Sequence, residues 1–162
     1  MIFLILGTQK FQFNRLLIEM DRLVKNCIVK DKVFAQIGYS SYLPKNYEYC
    51  DFLEQFEFEK KIKESDFVIT HAGVGSILSA LDMNKKVIMI PRKREYGEHI
   101  DDHQCEIANK YSELNYCILC NDVNDLEKAI KKVNIFESSY KPNLSLNNSI
   151  SDYIVSFIEK GA

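Results

Sequence analysis

The sequence has no long hydrophobic run, which restricts how the chain can meet a membrane. Its amino-terminal run, MIFLIL, has six apolar residues, whereas the core of a signal peptide has about 7 to 15 and a membrane span about 20. We therefore expect this run to be a β-strand rather than a targeting segment. Any association with a membrane is then expected to come from a surface of the protein or from a partner.

A strong net charge is also absent. The formal net charge is −2 at pH 7, so the chain offers no broad positive surface for nucleic acid. The five cysteines are odd in number and scattered, and no stretch with the features of a secretory signal precedes them, so we expect reduced thiols in the cytoplasm. Cys117 and Cys120 have the spacing of half a zinc site, but no second pair follows, which favours packing in a buried strand.

What the sequence does contain is typical of one globular α/β domain. It has 162 residues, of which 46% are apolar and 27% charged, enough for a single core. Short apolar runs alternate with segments of helical period, which indicates βα units. Several of the runs are apolar throughout, as in parallel strands covered on both faces. We therefore predict a Rossmann-like domain whose parallel sheet has helices on both faces, with strands at 2–6, 33–37, 67–70, 87–90 and 116–120.

Apolar residues at helical spacing predict the covering helices, within 13–27, 74–81, 107–114 and 126–133, with a more charged candidate at 56–65. Residues 137–149 are rich in Ser and Asn and have no period, so we predict a domain body of 1–136 followed by a linker. Residues 150–162 carry an apolar stripe at helical spacing. That helix either packs on its own domain or reaches a partner.

Two predicted strand ends are followed by glycine and hydroxyl residues. The first junction is Gly7-Thr8-Gln9, and the second runs from His71 to Ser76 in the sequence HAGVGS. In an open parallel sheet, ligands bind beyond the carboxyl ends of the strands. A helix start attracts anions, and glycine lets a phosphate approach the backbone. A tight turn capped by Ser76 explains the second junction as well.

The segment 91–114 places polar residues on the predicted inner side of a helix. Its apolar stripe, extended backwards, falls on His103 and Gln104, where polar groups need partners. A capping box from Asp101 to Gln104 is one explanation for the glutamine. His99 and His103 with the intervening aspartates suggest a metal site, but adjacent aspartates do not point the same way on a helix, and we expect no metal. Arg92 to Arg94 add positive charge nearby.

Three motifs in this order, THAGVGSILSAL (70–81), KKVIMIPR (85–92) and YGEHIDDHQ (96–104), resemble the carboxyl-terminal half of a glycosyltransferase family. That family includes the enzyme that adds N-acetylglucosamine in peptidoglycan lipid synthesis. The chain is more closely similar to the soluble subunits of split enzymes. These are the UDP-N-acetylglucosamine transferase subunit of eukaryotic dolichol-linked oligosaccharide synthesis and the bacterial capsular or exopolysaccharide β-1,4-galactosyltransferase subunit. The opening LGTQKFQFNRLL (6–17) resembles the bacterial group in particular.

The resemblance implies the second domain of a GT-B enzyme, which holds the nucleotide sugar. It assigns to His71 the stabilisation of the leaving diphosphate and leaves the general base unknown. The donor-binding residues that it implies are Gly7, Thr8, Gln9, Gly73, Val74, Gly75, Ser76, Ser79, Arg92, Asp102, His103 and Gln104. Several relatives have an acidic residue for the ribose hydroxyls where this chain has Ser79, and Asp82 is a possible substitute. No metal and no cofactor are implied, and the UDP-sugar is the substrate.

The implied function is transfer of a hexose from a UDP-sugar to a polyprenyl-diphosphate-linked sugar in surface polysaccharide synthesis. The acceptor domain would come from a membrane-associated partner, which would recruit this cytoplasmic chain to the inner face of the membrane. The alternative is a non-catalytic regulatory subunit that enhances a partner transferase, which shares every motif. A dinucleotide-dependent oxidoreductase is disfavoured because the first turn reads Gly-Thr-Gln instead of G-x-G-x-x-G.

Overall fold

The computed structural model describes residues 1–142, which form one sheet between two layers of helices. The sheet has six strands, all parallel, in the order β3-β2-β1-β4-β5-β6. The strands are β1 (Ile2–Ile5), β2 (Val33–Gln36), β3 (Glu48–Cys50), β4 (Phe67–Thr70), β5 (Lys86–Met89) and β6 (Ile118–Leu119). This strand order is that of the doubly wound nucleotide-binding fold.

The helices are α1 (Asn14–Lys25), α2 (Gln55–Glu64), α3 (Val74–Asp82), α4 (His103–Glu113) and α5 (Leu126–Val133). Helices α1 and α5 pack on one face of the sheet and bury alternate strand residues such as Ile2 and Leu4. Helices α2, α3 and α4 cover the other face, over Phe3 and Ile5. The central strands β1 and β4 are fully buried, which explains their continuous apolar sequences.

Within residues 1–142 the predicted strands and helices are present with small shifts of their ends, and β3 was not predicted. This edge strand reads Glu-Tyr-Cys and is partly exposed, so it lacks the apolar run of a buried strand. The predicted linker 137–149 begins within the described residues, and its first part bonds to the domain. There Ser138 donates to the carbonyl of Tyr116 at 2.7 Å, and Tyr140 donates to Asp82 at 2.6 Å. The predicted helix at 150–162 lies outside the described residues.

The order of the strands determines where a ligand can enter. The chain passes from β1 to a helix on one face of the sheet and from β4 to a helix on the other face. The two connections therefore diverge at the carboxyl ends of these neighbouring strands. A crevice forms at such a switch point, beyond the carboxyl ends of the strands. Gly7 follows β1 and His71 follows β4, so both junctions predicted from the sequence lie there. No helix within residues 1–142 has the length and apolar character needed to cross a bilayer.

Candidate functional site

An open pocket of about 440 Å³ lies at this crevice, between the carboxyl edge of the sheet and the first turns of α2, α3 and α4. A pocket of this size accommodates a nucleotide-sized ligand. Among residues 1–142, those that line it include no Asp, Glu, Lys or Arg, and amides, hydroxyls and glycine backbone predominate. The lining residues are Gly7, Thr8, Gln9, Gln36, Leu53, Gln55, Phe58, His71, Gly73, Gly75, Ser76, Ser79 and Gln104.

Most residues predicted for the site come together in this pocket. The two junctions contribute residues from both sides of the switch point, and Ser79 and Gln104 reach it from α3 and α4. Four predicted residues, Val74, Arg92, Asp102 and His103, are absent from the lining. The sequence analysis in turn missed Gln36, Leu53, Gln55 and Phe58. The only available signal was for Gln36, which is a single polar residue at the end of the apolar strand VFAQI.

The imidazole of His71 lies between two glycines. A Cβ atom added to Gly7 would be 2.6 Å from Nε2 of His71, and one added to Gly73 would be 2.4 Å from it. Both distances are shorter than atoms in contact allow, so neither position tolerates a side chain while the ring stays in place. Gly7 also has a positive φ of 77°, which favours glycine. These two glycines therefore accommodate the histidine ring, whereas the sequence analysis explained them by the approach of a phosphate.

His71 is neutral and presents an unprotonated nitrogen to the pocket. Its Nδ1 lies 3.1 Å from the carbonyl oxygen of Ile5, which only accepts, so Nδ1 carries the proton and Nε2 has the lone pair. Burial, followed by the nearby charge of Arg92, lowers the pKa of His71 to about 4, and the bond to Ile5 offsets only part of this. An anion at Nε2 would therefore require this nitrogen to gain a proton.

The amino end of α3 is open towards the pocket. Gly73 is the N-cap residue, and no side chain caps the helix, so Ser76 does not close this turn as the alternative explanation required. The first N–H groups of a helix have no acceptor within it, and within residues 1–142 those of Gly75 and Ser76 donate no hydrogen bond. A Cβ added to Gly75 would meet no atom within 4 Å. Here the backbone donors remain accessible, as an anion-binding helix start requires.

The first junction does not lead directly into a helix, so the attraction of a helix start for anions applies to the second junction and not to the first. Residues 6–13 form a loop, and α1 begins only at Asn14. The N–H of Phe13 already donates to Ser40 Oγ at 3.0 Å, and that of Asn14 donates to Gln12 Oε1 at 2.8 Å. Of the two junctions, that after β4 therefore brings a helix amino terminus to the pocket, whereas that after β1 contributes the loop residues Gly7, Thr8 and Gln9.

Arg92 lies beneath that loop and does not reach the pocket, which corrects the expectation that it contacts a donor. Its side chain is fully buried, and its Nη2 donates to the carbonyls of Leu6 at 2.5 Å and Phe11 at 3.1 Å. Burial lowers the pKa of Arg92 to about 10, with Glu98 offsetting part of the effect, so the guanidinium remains charged at neutral pH. Arg92 thus supports the loop that carries Gly7 from below.

The loops after β1 and β5 are bonded to each other across the end of β4. His99 Nε2 lies 2.9 Å from Gln9 Oε1, and Gln12 donates to the carbonyl of Tyr96 at 3.1 Å. Arg15 forms an ion pair with the buried Glu98, with 2.7 Å between Nε and Oε1. Because β4 lies between β1 and β5 in the sheet, these contacts connect the two sides of the crevice.

The start of α4 differs from the predicted capping box. The helix begins at His103, and Gln104 turns inward, where its Oε1 accepts from the N–H of Arg92 at 3.2 Å. Asp101 accepts instead from the N–H of His103 at 3.1 Å. Asp102 is exposed and accepts from the N–H of Arg94 at 3.0 Å, and the His103 side chain is 51% exposed near Asp101. Gln104 is therefore the residue of this helix that lines the pocket.

Residues 1–142 bring together no group of three or more His, Cys, Asp or Glu side chains that could hold a metal ion. His99 and His103 each lie near Asp101, but the neighbouring Asp102 bonds to the backbone of Arg94. The metal-free site that the resemblance implies stays a prediction.

The chain matches the model of one protein family over most of its length. The matching family is described as the glycosyltransferase family 28 C-terminal domain, and the match spans residues 1–154. Among curated proteins, UDP-N-acetylglucosamine transferase subunit ALG13 of Candida albicans is 39% identical over 71 residues, covering 44% of this chain. The Saccharomyces cerevisiae protein of that name is 40% identical over 70 residues, covering 40% of this chain. These matches span 22% and 33% of the relatives' own lengths.

Solved glycosyltransferase structures share the fold of this chain. Acinetobacter baumannii MurG superposes with a TM-score of 0.58 at 16% identity, over 97% of this chain and 49% of that one. The calicheamicin glycosyltransferase CalG4 gives a TM-score of 0.56 at 15% identity, over 81% of this chain and 34% of that one. At these identities the likeness concerns the fold alone. It confirms the predicted α/β class, with this chain corresponding to part of each solved molecule.

Proposed function

We propose a function from one premise: the chain belongs to the glycosyltransferase family 28 C-terminal domain family, as its motifs suggested. The proposal is that it binds a UDP-sugar and, with a membrane-associated partner, transfers the hexose to a polyprenyl-diphosphate-linked sugar in surface polysaccharide synthesis. The chain would be cytoplasmic and reach the inner face of the membrane through that partner.

The observation that carries this proposal is the open amino end of α3 beside His71. The uncapped N–H groups of the first turn and the histidine ring border the same pocket, at the switch point of the sheet. This combination suits a diphosphate, because helix dipole and free donors favour negative charge there. The uncharged amides and hydroxyls around it suit the polar groups of a sugar and a nucleoside.

In the proposed mechanism, the departing diphosphate is stabilised by donors that are already in place. Backbone N–H groups of α3 and a protonated His71 Nε2 would bind the oxygens on which negative charge increases, and such preorganised donors typically supply the largest catalytic contribution. The buried Arg92 adds positive potential from beneath the loop. A base must accept the proton of the acceptor hydroxyl. We assign that base to no residue of this chain and expect the partner to supply it.

We propose a partner because of two likenesses and one feature of the surface. It corresponds to 49% of the MurG chain, and the relatives named above are each described as a subunit of a transferase. Large apolar side chains are exposed around the pocket, in loops and in the first turn of α2. We call these the rim: Tyr39, Phe52, Phe56, Tyr96 and Ile100, each between 45% and 75% exposed. We propose that the acceptor-binding subunit covers the rim, so that the pocket becomes one wall of a cleft.

We propose two candidates for the transferred sugar, N-acetylglucosamine and galactose. The curated relatives are named as N-acetylglucosamine transferase subunits, whereas the opening motif resembles the galactosyltransferase group. Ser79, which replaces an acidic residue of several relatives, lines the pocket near the proposed diphosphate. It offers one hydroxyl for a ribose, and Asp82 is absent from the pocket lining and accepts from Tyr140 instead.

Calorimetric titration of the purified chain tests donor binding. We expect UDP, UDP-galactose or UDP-N-acetylglucosamine to bind at millimolar concentration or below, and one of the two sugars to bind more tightly than the other. The His71→Ala variant should lose most of this affinity while keeping its fold by circular dichroism. If wild-type protein binds none of the three nucleotides, the donor-site proposal fails.

An assay of sugar transfer distinguishes between a catalytic and a regulatory role for this chain. In membranes that contain the partner, His71→Ala should reduce transfer by at least about 100-fold, because it removes a donor to the transition state. A mild loss with an intact complex would contradict the catalytic proposal and support a regulatory subunit.

A further inference from the structure

Gln36 is a buried polar residue at the edge of the pocket to which neither the motifs nor the family assignment gives a role. It is the last residue of β2, and its side chain is 4% exposed and lines the pocket. It lies on the same face of the sheet as Phe34, towards α2 and α3. A buried amide needs hydrogen-bond partners on both its oxygen and its nitrogen.

The protein satisfies only the oxygen. Gln36 Oε1 accepts from the backbone N–H of Leu53 at 3.0 Å, and since a backbone N–H only donates, the orientation of the amide is fixed. The Nε2 group has no hydrogen-bond partner within residues 1–142. It is not completely enclosed by protein atoms, so a ligand can reach it. The donors on Nε2 are therefore the unpaired groups that Gln36 offers to a ligand in the pocket.

Gln36 lies at a distance from His71 that suits the base of a nucleotide whose phosphates bind at α3. Strands β4, β1 and β2 are adjacent, so Gln36 lies two strand spacings, or roughly 10 Å, from the end of β4 that carries His71. This is about the length of a nucleoside. Leu53 and Phe58 line the pocket beside Gln36 and offer apolar surface to a planar ring, whereas Thr8, Gln9 and Gln104 on the other side are polar.

We infer that Gln36 is a specificity-determining residue, whose Nε2 donates to the carbonyl oxygen at position 4 of a pyrimidine base. This inference rests on the proposed binding of the diphosphate at α3. Position 4 is the edge of the ring away from the ribose and therefore reaches farthest from the phosphates. Uracil has an acceptor oxygen there, whereas cytosine has an amino donor. Two donors facing each other cannot bond, so the site should prefer UDP to CDP.

Two variants test this assignment by titration calorimetry with UDP, CDP and inorganic pyrophosphate. Gln36→Met removes the donor at similar volume and should weaken UDP about tenfold, the effect of one hydrogen bond. Gln36→Glu keeps an oxygen for the N–H of Leu53 but replaces the donor by an acceptor. It should reverse the preference, so that CDP binds more tightly than UDP. Pyrophosphate affinity should be unchanged in both variants, because the contact is at the base end, and thermal unfolding confirms that each variant is folded.

The outcomes separate failure of this inference from failure of the proposed function. If wild-type protein binds UDP and pyrophosphate but both variants keep the wild-type ratio of UDP to CDP affinity, Gln36 does not contact position 4. Equal losses of pyrophosphate and UDP affinity would place the effect at the phosphates and also overturn the inference. Absence of both UDP and pyrophosphate binding in the wild type would overturn the proposed function itself.

Discussion

His71 is enclosed by two glycines, bonded to the carbonyl of Ile5 and neutral in the unliganded site. The sequence predicted its position but not this environment. A motif gives only the order of neighbouring residues. Position 7 requires glycine because of the ring of His71, which is 64 positions away in the chain. Arg92 illustrates the same point, because a basic cluster in a loop does not show which member is folded inward.

The pH dependence of UDP binding should reveal a proton taken up by His71. A diphosphate at Nε2 favours the imidazolium, so the pKa of His71 in the complex lies above the value of about 4 in the free protein. Affinity should therefore be highest at low pH and fall as the pH rises through the pKa of the complex. Calorimetry in two buffers of different ionisation enthalpy measures the proton uptake.

The control for this measurement is His71→Gln, whose amide does not titrate. UDP itself takes up protons near pH 6, equally in both proteins, so the difference between wild type and variant reports on His71. Identical proton uptake in the two proteins would contradict a protonated His71 in the complex.

Gly73 and Gly75 should respond differently to the same substitution. In Gly73→Ala the new Cβ collides with the His71 ring. The ring cannot move away without breaking its hydrogen bond to the carbonyl of Ile5. We expect a loss of about 1 to 3 kcal/mol in the free energy of unfolding, as for other overpacked sites. Gly75→Ala meets no atom and should leave stability unchanged or slightly higher. Urea unfolding of both variants measures this, and equal stabilities would contradict the described packing.

The secondary structure elements were largely predictable from the sequence. Buried parallel strands give continuous apolar runs and covering helices give apolar stripes, so β1, β2, β4, β5 and their helices were found. The pattern fails where an element is exposed or where polar contacts decide its limits. Strand β3 has no apolar run. At the start of α4, Gln104 bonds to the N–H of Arg92, twelve residues away, which local spacing does not identify.

The carboxylate of Asp21 is one of the α1 groups that bond to the connection from β2 to β3, together with the side chain of Asn14. Asp21 accepts from the hydroxyl of Tyr42 at 2.7 Å and from the N–H groups of Lys45 and Asn46 at 3.1 and 2.8 Å. Burial raises the pKa of Asp21, but the bonds from Tyr42, Asn46 and Lys45 outweigh it, so the pKa lies below the ordinary value of 3.8. The carboxylate thereby stabilises the loop that leads to β3 and to Leu53 at the pocket.

Asp21→Asn should destabilise the fold by about 1 to 3 kcal/mol, because an amide provides one acceptor oxygen where the carboxylate provides two. Asp31→Asn, at an exposed position, is the matched control and should have little effect. Because the pKa of Asp21 is lowered, its contribution is present above about pH 4 and is lost as the pH falls through the folded-state pKa. Urea unfolding at pH 7 and pH 3 measures both effects. If the difference in free energy of unfolding between wild type and Asp21→Asn is as large at pH 3 as at pH 7, the ionised carboxylate is not the source of the stability.

In the assembled domain, the pocket depends on contacts between distant segments. The sequence predicted the residues that directly follow β1 and β4, because parallel strands bring their carboxyl ends to one edge. It did not predict Gln55 or Phe58, which belong to a helix whose sequence, QFEFEKKIKE, reads as mostly solvent-exposed. Nor did it predict the bonds of His99 with Gln9 and of Arg15 with Glu98, since nothing local pairs the loops after β1 and β5.

The rim should be required for sugar transfer but not for donor binding. Ile100→Ser and Phe56→Ser change side chains that are 70% and 75% exposed, so neither substitution should affect folding or UDP affinity. If the partner covers the rim, transfer in partner-containing membranes should fall at least about tenfold, since an apolar anchor at an interface is worth a few kcal/mol. Ile135→Ser is the control, because Ile135 is 84% exposed but follows α5 at the opposite edge of the sheet. Undiminished transfer by both rim variants would place the partner elsewhere.

For the proposed transferase, the absence of charged side chains among the residues of 1–142 that line the pocket has a kinetic consequence. Lysine or arginine in direct contact would retain the spent nucleoside diphosphate strongly and slow each cycle at its last step. Amides, hydroxyls and helix N–H groups hold it less firmly, and the proton on His71 can leave with it. A site of this composition favours a short residence time of the product and quick exchange for fresh substrate.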